Sequence, residues 1–233
     1  MVFLNMEDRE EKMLQDLNQI SDGKVYSSTD MARLACNDCE GCHACCEAMG
    51  DSIILDPLDV WRLRESTGKT IEQLLENFIE LGVEEGMILP HLRMVGGEEH
   101  CAFLNENGRC SIHSFRPGLC RLFPLGRIYE EQEIRYFLQT EACRKPNRSK
   151  VKISKWLDTP EQKKYNRFLL EWRSLRKKVQ QQLMQTEDES AARTWNLFLL
   201  NHFYMSLYES GTDFYGRFEE RLAQAKQTLP FLV

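Results

Sequence analysis

The chain has 233 residues, 42% of them hydrophobic, with 30 Lys and Arg against 36 Asp and Glu for a net charge of −6. This suits one folded domain of ordinary size or a small domain with an appendage; no apolar run reaches the roughly 18 residues of a membrane-spanning helix, and the negative balance argues against generic nucleic-acid binding. The start, MVFLNMEDREEKM, turns acidic before a signal-peptide core could form, so the expected location is the cytoplasm, a reducing compartment where nine cysteines call for an explanation other than disulfides.

Met6, Met13, Leu14, Leu17 and Ile20 stand at helical spacing, which predicts a short amphipathic helix over 6–20 closed by a Ser-Asp-Gly turn. A second helix is expected to start at Thr29 or Asp30, either of which can cap it, and to run into Cys36. Residues 52–55 read as a short strand. Asp56-Pro57 reads as an N-cap with proline at the first helical position, Gly68 as the end of that helix, and Thr70 as the start of another that Gly82 closes.

From 87 to 138 the texture changes to short runs separated by turn residues, predicting strands at 87–95, 101–104, 109–112, 127–129 and 134–138. The turn Asn105-Glu106-Asn107-Gly108 would pair the strands of Cys101 and Cys110 and set their thiols side by side. No cysteine follows Cys143. Thr159-Pro160-Glu161-Gln162 resembles a capping box opening a long helix to about 185, and helices are expected at 188–208 and 213–228. Trp172, Leu175, Trp195, Phe198, Leu199, Phe203, Phe218 and Leu222 recur with helical period and read as core packing. The fold class expected is α+β, predominantly helical with short β-hairpins. It comprises N-terminal helices in 1–35, a cysteine-rich metal-stapled domain in 36–146 and a helical region in 147–233 packed on it. Charge is uneven: residues 144–178 hold 13 Lys or Arg against 3 Asp or Glu, +10 against −16 for the remainder.

Chemistry concentrates in Cys36-Asn37-Asp38-Cys39-Glu40-Gly41-Cys42-His43-Ala44-Cys45-Cys46, whose two-residue gaps let a tight loop turn successive sulfurs to one centre. A metal cation stabilises the deprotonated, desolvated thiolates that such a loop gathers. Cys36, Cys39, Cys42 and Cys46 have the C-x2-C-x2-C-x3-C spacing of bacterial ferredoxins, with Glu47 in place of proline, which favours iron-sulfur over zinc. Adjacent Cys45 and Cys46 point apart on most backbones and should serve two metals or leave one thiol free. Cys101, Cys110, Cys120 and Cys143 form a second group of four, enough for tetrahedral zinc or one cluster. Arg116 and Arg121 are expected to offset the charge of the thiolates and to donate hydrogen bonds to them. His43 and His113 are read as hydrogen-bonding groups more than as ligands.

Cys39-x2-Cys42-x2-Cys45-Cys46, Cys101-Ala-Phe-Leu, Gly108-Arg109-Cys110-Ser111-Ile112, Arg116-Pro117, Cys120-Arg121 and Phe123-Pro124, in that order, resemble the YkgJ-type cysteine cluster family, the zinc- or iron-chelating CxxCxxCC domain, to which flagellin lysine-N-methylases are similar. The resemblance covers about 36–143 and implies that Cys39, Cys42, Cys45, Cys46, Cys101, Cys110, Cys120 and Cys143 are metal ligands, with Cys36 outside the core pattern.

The function expected is metal binding, by an iron-sulfur cluster with [4Fe-4S] favoured or by zinc, with redox activity or oxygen sensing open to the cluster. Two alternatives come from other classes. One is an S-adenosylmethionine-dependent protein lysine N-methyltransferase, implied only by the methylase relatives; neither a Gly-x-Gly-x-x-Gly turn nor the C-x3-C-x2-C radical signature is present. The other is a structural zinc module presenting its helical tail, including the basic stretch, to a protein or RNA partner, with a protein the expected one since the overall charge makes nucleic acid unlikely. Whether the chain is an enzyme stays open at this stage.

Overall fold

The computed structural model describes residues 19–35, 42–97, 99–146, 148–206 and 213–232. Helices and two-stranded antiparallel sheets alternate along them, an α+β fold as expected. In chain order come β1 (Met31–Ala35), α1 (Pro57–Thr67), α2 (Ile71–Asn77), β2 (Ile79–Glu84), β3 (Met87–Leu92), β4 (Met94–Val95) and β5 (His100–Cys101). The short α3 (Gly118–Leu122) precedes β6 (Leu125–Tyr129), β7 (Ile134–Leu138), β8 (Ser149–Lys152) and α4 (Ile153–Leu157). Three longer helices close the chain, α5 (Gln162–Gln185), α6 (Glu189–Leu200) and α7 (Phe214–Thr228). The chain divides into two compact units, Met1–Ala44 with Arg121–Thr159 and Cys45–Cys120 with Pro160–Val233.

In the first unit β1 pairs with β8 and β6 with β7. Tyr26 adds to the edge of β7, exchanging N–H···O bonds of 2.8 and 2.9 Å with Tyr136. Ala32, Leu34, Leu125, Ile134, Tyr136, Leu138, Ile153 and Leu157 fill the interior. The helix expected at 29–36 is corrected here: residues 31–35 form a strand whose burial alternates, Ala32 and Leu34 in, Met31 and Arg33 out. That is the period of a half-buried strand, and its partner lies far along the chain. The helix expected at 6–20 lies outside the described residues except for its last two.

Gly126 stands opposite Phe137 in the β6–β7 ladder. A Cβ at Gly126 would sit 2.0 Å from Cζ of the Phe137 ring, whose far end occupies that space. Gly126→Ala must displace that ring, and a cost of about 1–3 kcal/mol is expected from the overpacking. A denaturation midpoint unchanged from wild type would count against this packing.

The second unit is built on local signals that the sequence carries plainly. Asp56 caps α1 in a capping box with Asp59, Gly68 closes it, and Thr70 caps α2 in a box with Gln73. Asp188 and Asp213 cap α6 and α7 with their carboxylates. Gly82 does not close α2, which ends at Asn77; it lies within β2, joined to β3 by a two-residue turn at Glu85 and Gly86, both at positive φ. That turn suits the twist of the strands. No capping box opens α5 either: Glu161 precedes it without a side-chain cap, and the Thr159 hydroxyl donates to the Leu157 carbonyl.

The three long helices pack through aromatic rings. Phe168 meets Phe218 edge-on at 4.7 Å and Trp172 meets Phe203 at 5.2 Å, the geometry that ring quadrupoles favour. Trp172, Leu175, Leu199, Phe203, Phe218 and Leu222 are core residues as expected, whereas Trp195 and Phe198 are half-buried against Phe231 and His202. Asn196 ties α6 to the β2–β3 hairpin, accepting from the Ile88 N–H at 2.8 Å and donating to the Gly86 carbonyl at 3.0 Å.

Candidate metal centre

Three supports within the second unit carry its thiols. Cys45 and Cys46 lie on a single 3-10 turn, Ala44–Cys46. Just beyond it, Glu47 bridges to His100 and the Ala48 N–H donates to the Glu99 carbonyl at 2.8 Å, which anchors the turn beside β5 and therefore beside Cys101.

The second support is the Asn105–Gly108 turn. The Asn105 side-chain oxygen accepts from the N–H groups of Asn107 and Arg109 at 3.0 and 2.9 Å, and Leu104 bridges to Cys110. The expected hairpin is thus present but shorter than predicted. Cys101 pairs with Met94 on β4, while Cys110 pairs with Leu104, because the turn's own bonds close the register three residues beyond Cys101.

The third support is α3, which carries Cys120. Its Gly118 N–H donates to Oδ1 of Asp59 at 2.7 Å, and Asp59, 2% exposed, reaches it from the first turn of α1. Arg62, further along α1, donates to the Ser114 carbonyl at 3.1 Å and holds the preceding turn.

The thiols on these supports lie near enough to influence one another's ionisation. Burial pushes the Cys101 thiol up, with Cys110 and Cys45 adding to it, and burial followed by Cys101, Asp59, Cys110 and Cys45 pushes Cys120 up. A hydrogen bond with Cys45 is the largest cause raising Cys46, ahead of burial and of Cys45, Cys101 and Cys120 as neighbouring charges. Cys110 is raised by burial and by Cys45, and drawn the other way by the Ile112 N–H and the guanidinium groups of Arg116 and Arg109. Five thiols, Cys45, Cys46, Cys101, Cys110 and Cys120, therefore form one interacting group.

Cys42 and Cys143 lie in the first unit, and Cys36 and Cys39 lie outside the described residues. Arg121 also belongs to the first unit, where it is buried and its Nη1 donates to the Asp158 carbonyl at 3.2 Å and the Thr159 hydroxyl at 3.0 Å. The His113 carbonyl accepts from Arg116 Nε at 3.1 Å. Asp59 is the residue that reading the sequence missed. Its place in a D-x-x-D capping box is legible, but its bond to Gly118 joins residues 59 apart.

As a donor set the group fits a thiophilic cation, because every member is a sulfur and burial favours a bound, charge-neutralised state over free thiolates. Among the described residues no group of three or more His, Cys, Asp or Glu side chains is placed to hold a metal ion.

The model of the CxxCxxCC family, described as "Putative zinc- or iron-chelating domain", matches residues 38–144. No curated protein and no solved structure matches the chain. Residues 38–144, a little under half of the chain, are thus similar to the zinc- or iron-chelating CxxCxxCC domain, and this match supports metal binding as the class of function. Among the described residues no helix is long and apolar enough to cross a membrane.

Proposed function

We propose that the CxxCxxCC domain holds an iron-sulfur cluster of the [4Fe-4S] type. The observation that carries this reading is the C-x2-C-x2-C-x3-C spacing of Cys36, Cys39, Cys42 and Cys46, that of bacterial ferredoxin ligands, which favours a cluster over zinc. Four thiols complete either centre, so their number alone does not choose between them. Cys46 belongs both to this set and to the thiol group of the second unit.

In this reading Cys101, Cys110 and Cys120 with one or both of Cys45 and Cys46 bind the centre. Arg116 and Arg109 offset its negative charge at Cys110, and Asp59 holds the helix that carries Cys120. When bound, such a cluster supplies one-electron redox chemistry. The metal-binding function belongs to 36–146, the region 147–233 contributing helices and no cysteine. A cytoplasmic setting would keep the thiols reduced and open to metal.

The test is the iron, zinc and acid-labile sulfide content of untagged protein purified without oxygen, with its visible spectrum. About four irons and four sulfides per chain with broad visible absorption are expected for such a cluster. Stoichiometric zinc without sulfide would overturn the cluster and leave a redox-silent zinc domain.

A further inference from the structure

Residues 144–157 carry six Lys or Arg and no Asp or Glu, and the fold lays part of this segment on an open sheet face. In the β1–β8 sheet Met31 stands opposite Lys152 and Arg33 opposite Lys150. All four are exposed, while Ala32 and Leu34 between them are buried.

Residues directly opposite in an antiparallel pair stand about 5 Å apart at Cβ, where like charges destabilise the sheet. Arg33 and Lys150 are such a pair. Among the described residues Arg33, Lys150, Lys152 and Lys155 have no ion-pair partner. The adjacent carboxylate, Asp30, is engaged by the Ser27 N–H and hydroxyl at 2.7 and 2.9 Å. The face therefore carries uncompensated positive charge at a cost to its own sheet.

We propose that this face docks an acidic segment of a protein partner, its carboxylates on Arg33, Lys150 and Lys152 and an apolar side chain on Met31. Charge complementarity selects an anion, and two features select a protein over a nucleic acid. The four exposed residues include no aromatic ring on which a base could stack. The chain outside 144–178 is −16, which repels a long polyanion, whereas a short acidic segment meets only the local positive face. The exposed Met31 side chain adds apolar contact that a phosphate backbone does not use. The inference rests on no property of the metal centre.

The experiment titrates full-length, metal-loaded protein into a fluorescent peptide of alternating glutamate and valine, with single-stranded RNA of equal charge in parallel. The peptide is expected to bind in a salt-sensitive manner and more tightly than the RNA. K150E/K152E and, on the other strand, R33E should each weaken it by about tenfold or more, with metal content and circular dichroism unchanged. K177E, an exposed charge on α5, should leave it as it is. RNA binding tighter than peptide binding, equal loss in K177E, or undiminished binding in the sheet variants would each overturn the proposal.

Discussion

Cys120→Ser is expected to leave the protein with less than about a tenth of its metal and to unfold the thiol-bearing region at temperatures the parent withstands. Cys120 lies within the thiol group, raised by burial and then by Cys101, Asp59, Cys110 and Cys45. A serine hydroxyl stays protonated at neutral pH and is a poor ligand for a thiophilic metal, so the variant removes a ligand and keeps the shape. Binding free energies of structural metals in small domains are on the order of 10 kcal/mol, and where the site forms only on folding that energy is folding energy. The variant should melt together with parent protein stripped by a chelator, and adding chelator to it should change nothing further. Cys45→Ser and Cys46→Ser provide the comparison. These two thiols neighbour each other on one turn, so a cluster that takes only one of them leaves one of the two variants with nearly full metal. A Cys120→Ser protein with wild-type metal content would sink the assignment of this thiol group as the metal centre.

The contrast between Cys120 and its neighbours also marks where the sequence stops being informative. The helix caps at Asp56 and Thr70, the helix starts at 188 and 213 and the Asn105–Gly108 turn are legible because each is closed within a few residues by its own side chains. Over β1 the sequence predicts a helix because Thr29 and Asp30 are good caps. What makes it a strand is a ladder to residues 149–152, beyond the reach of any local window. Gly82 was read as a helix stop for the same reason: its role follows from pairing with Leu89 across the hairpin. At the site, the spacing rule assembled Cys36, Cys39, Cys42 and Cys46, thiols close in sequence. The fold also brings Cys101, Cys110 and Cys120 within electrostatic reach of Cys45 and Cys46, a grouping that no periodicity announces and that in the sequence rests on the family resemblance. Asp59 illustrates the limit best, a residue whose local role was visible and whose distant one was not.

Asp59→Ala is expected to destabilise the metal-loaded protein by about 3–5 kcal/mol, well above the cost of an ordinary lost cap. The carboxylate is buried and accepts twice, from the Gly118 N–H at 2.7 Å and from the Asp56 N–H at 3.2 Å. Hydrogen bonds to a charged acceptor contribute roughly 1.5–3 kcal/mol each, and the alanine leaves the buried Gly118 donor without this acceptor. Asp56→Ala separates the two roles. It removes the oxygen that accepts from the Asp59 N–H at 2.8 Å and leaves the Gly118 bond in place, so about 1 kcal/mol is expected from it. Asp59→Asn should fall between the two. Its remaining carbonyl oxygen can still accept from Gly118, but its amide turns a donor toward the Asp56 N–H. Metal retention against a competing chelator tells positioning from plain stability. If Asp59 fixes the helix of Cys120, retention falls in the order wild type, Asn, Ala, while Asp56→Ala keeps its metal despite its lower denaturation midpoint. If Asp59→Ala and Asp56→Ala lose stability equally and both retain metal, Asp59 is a cap for α1 alone, and Cys120 owes its place to the burial around it.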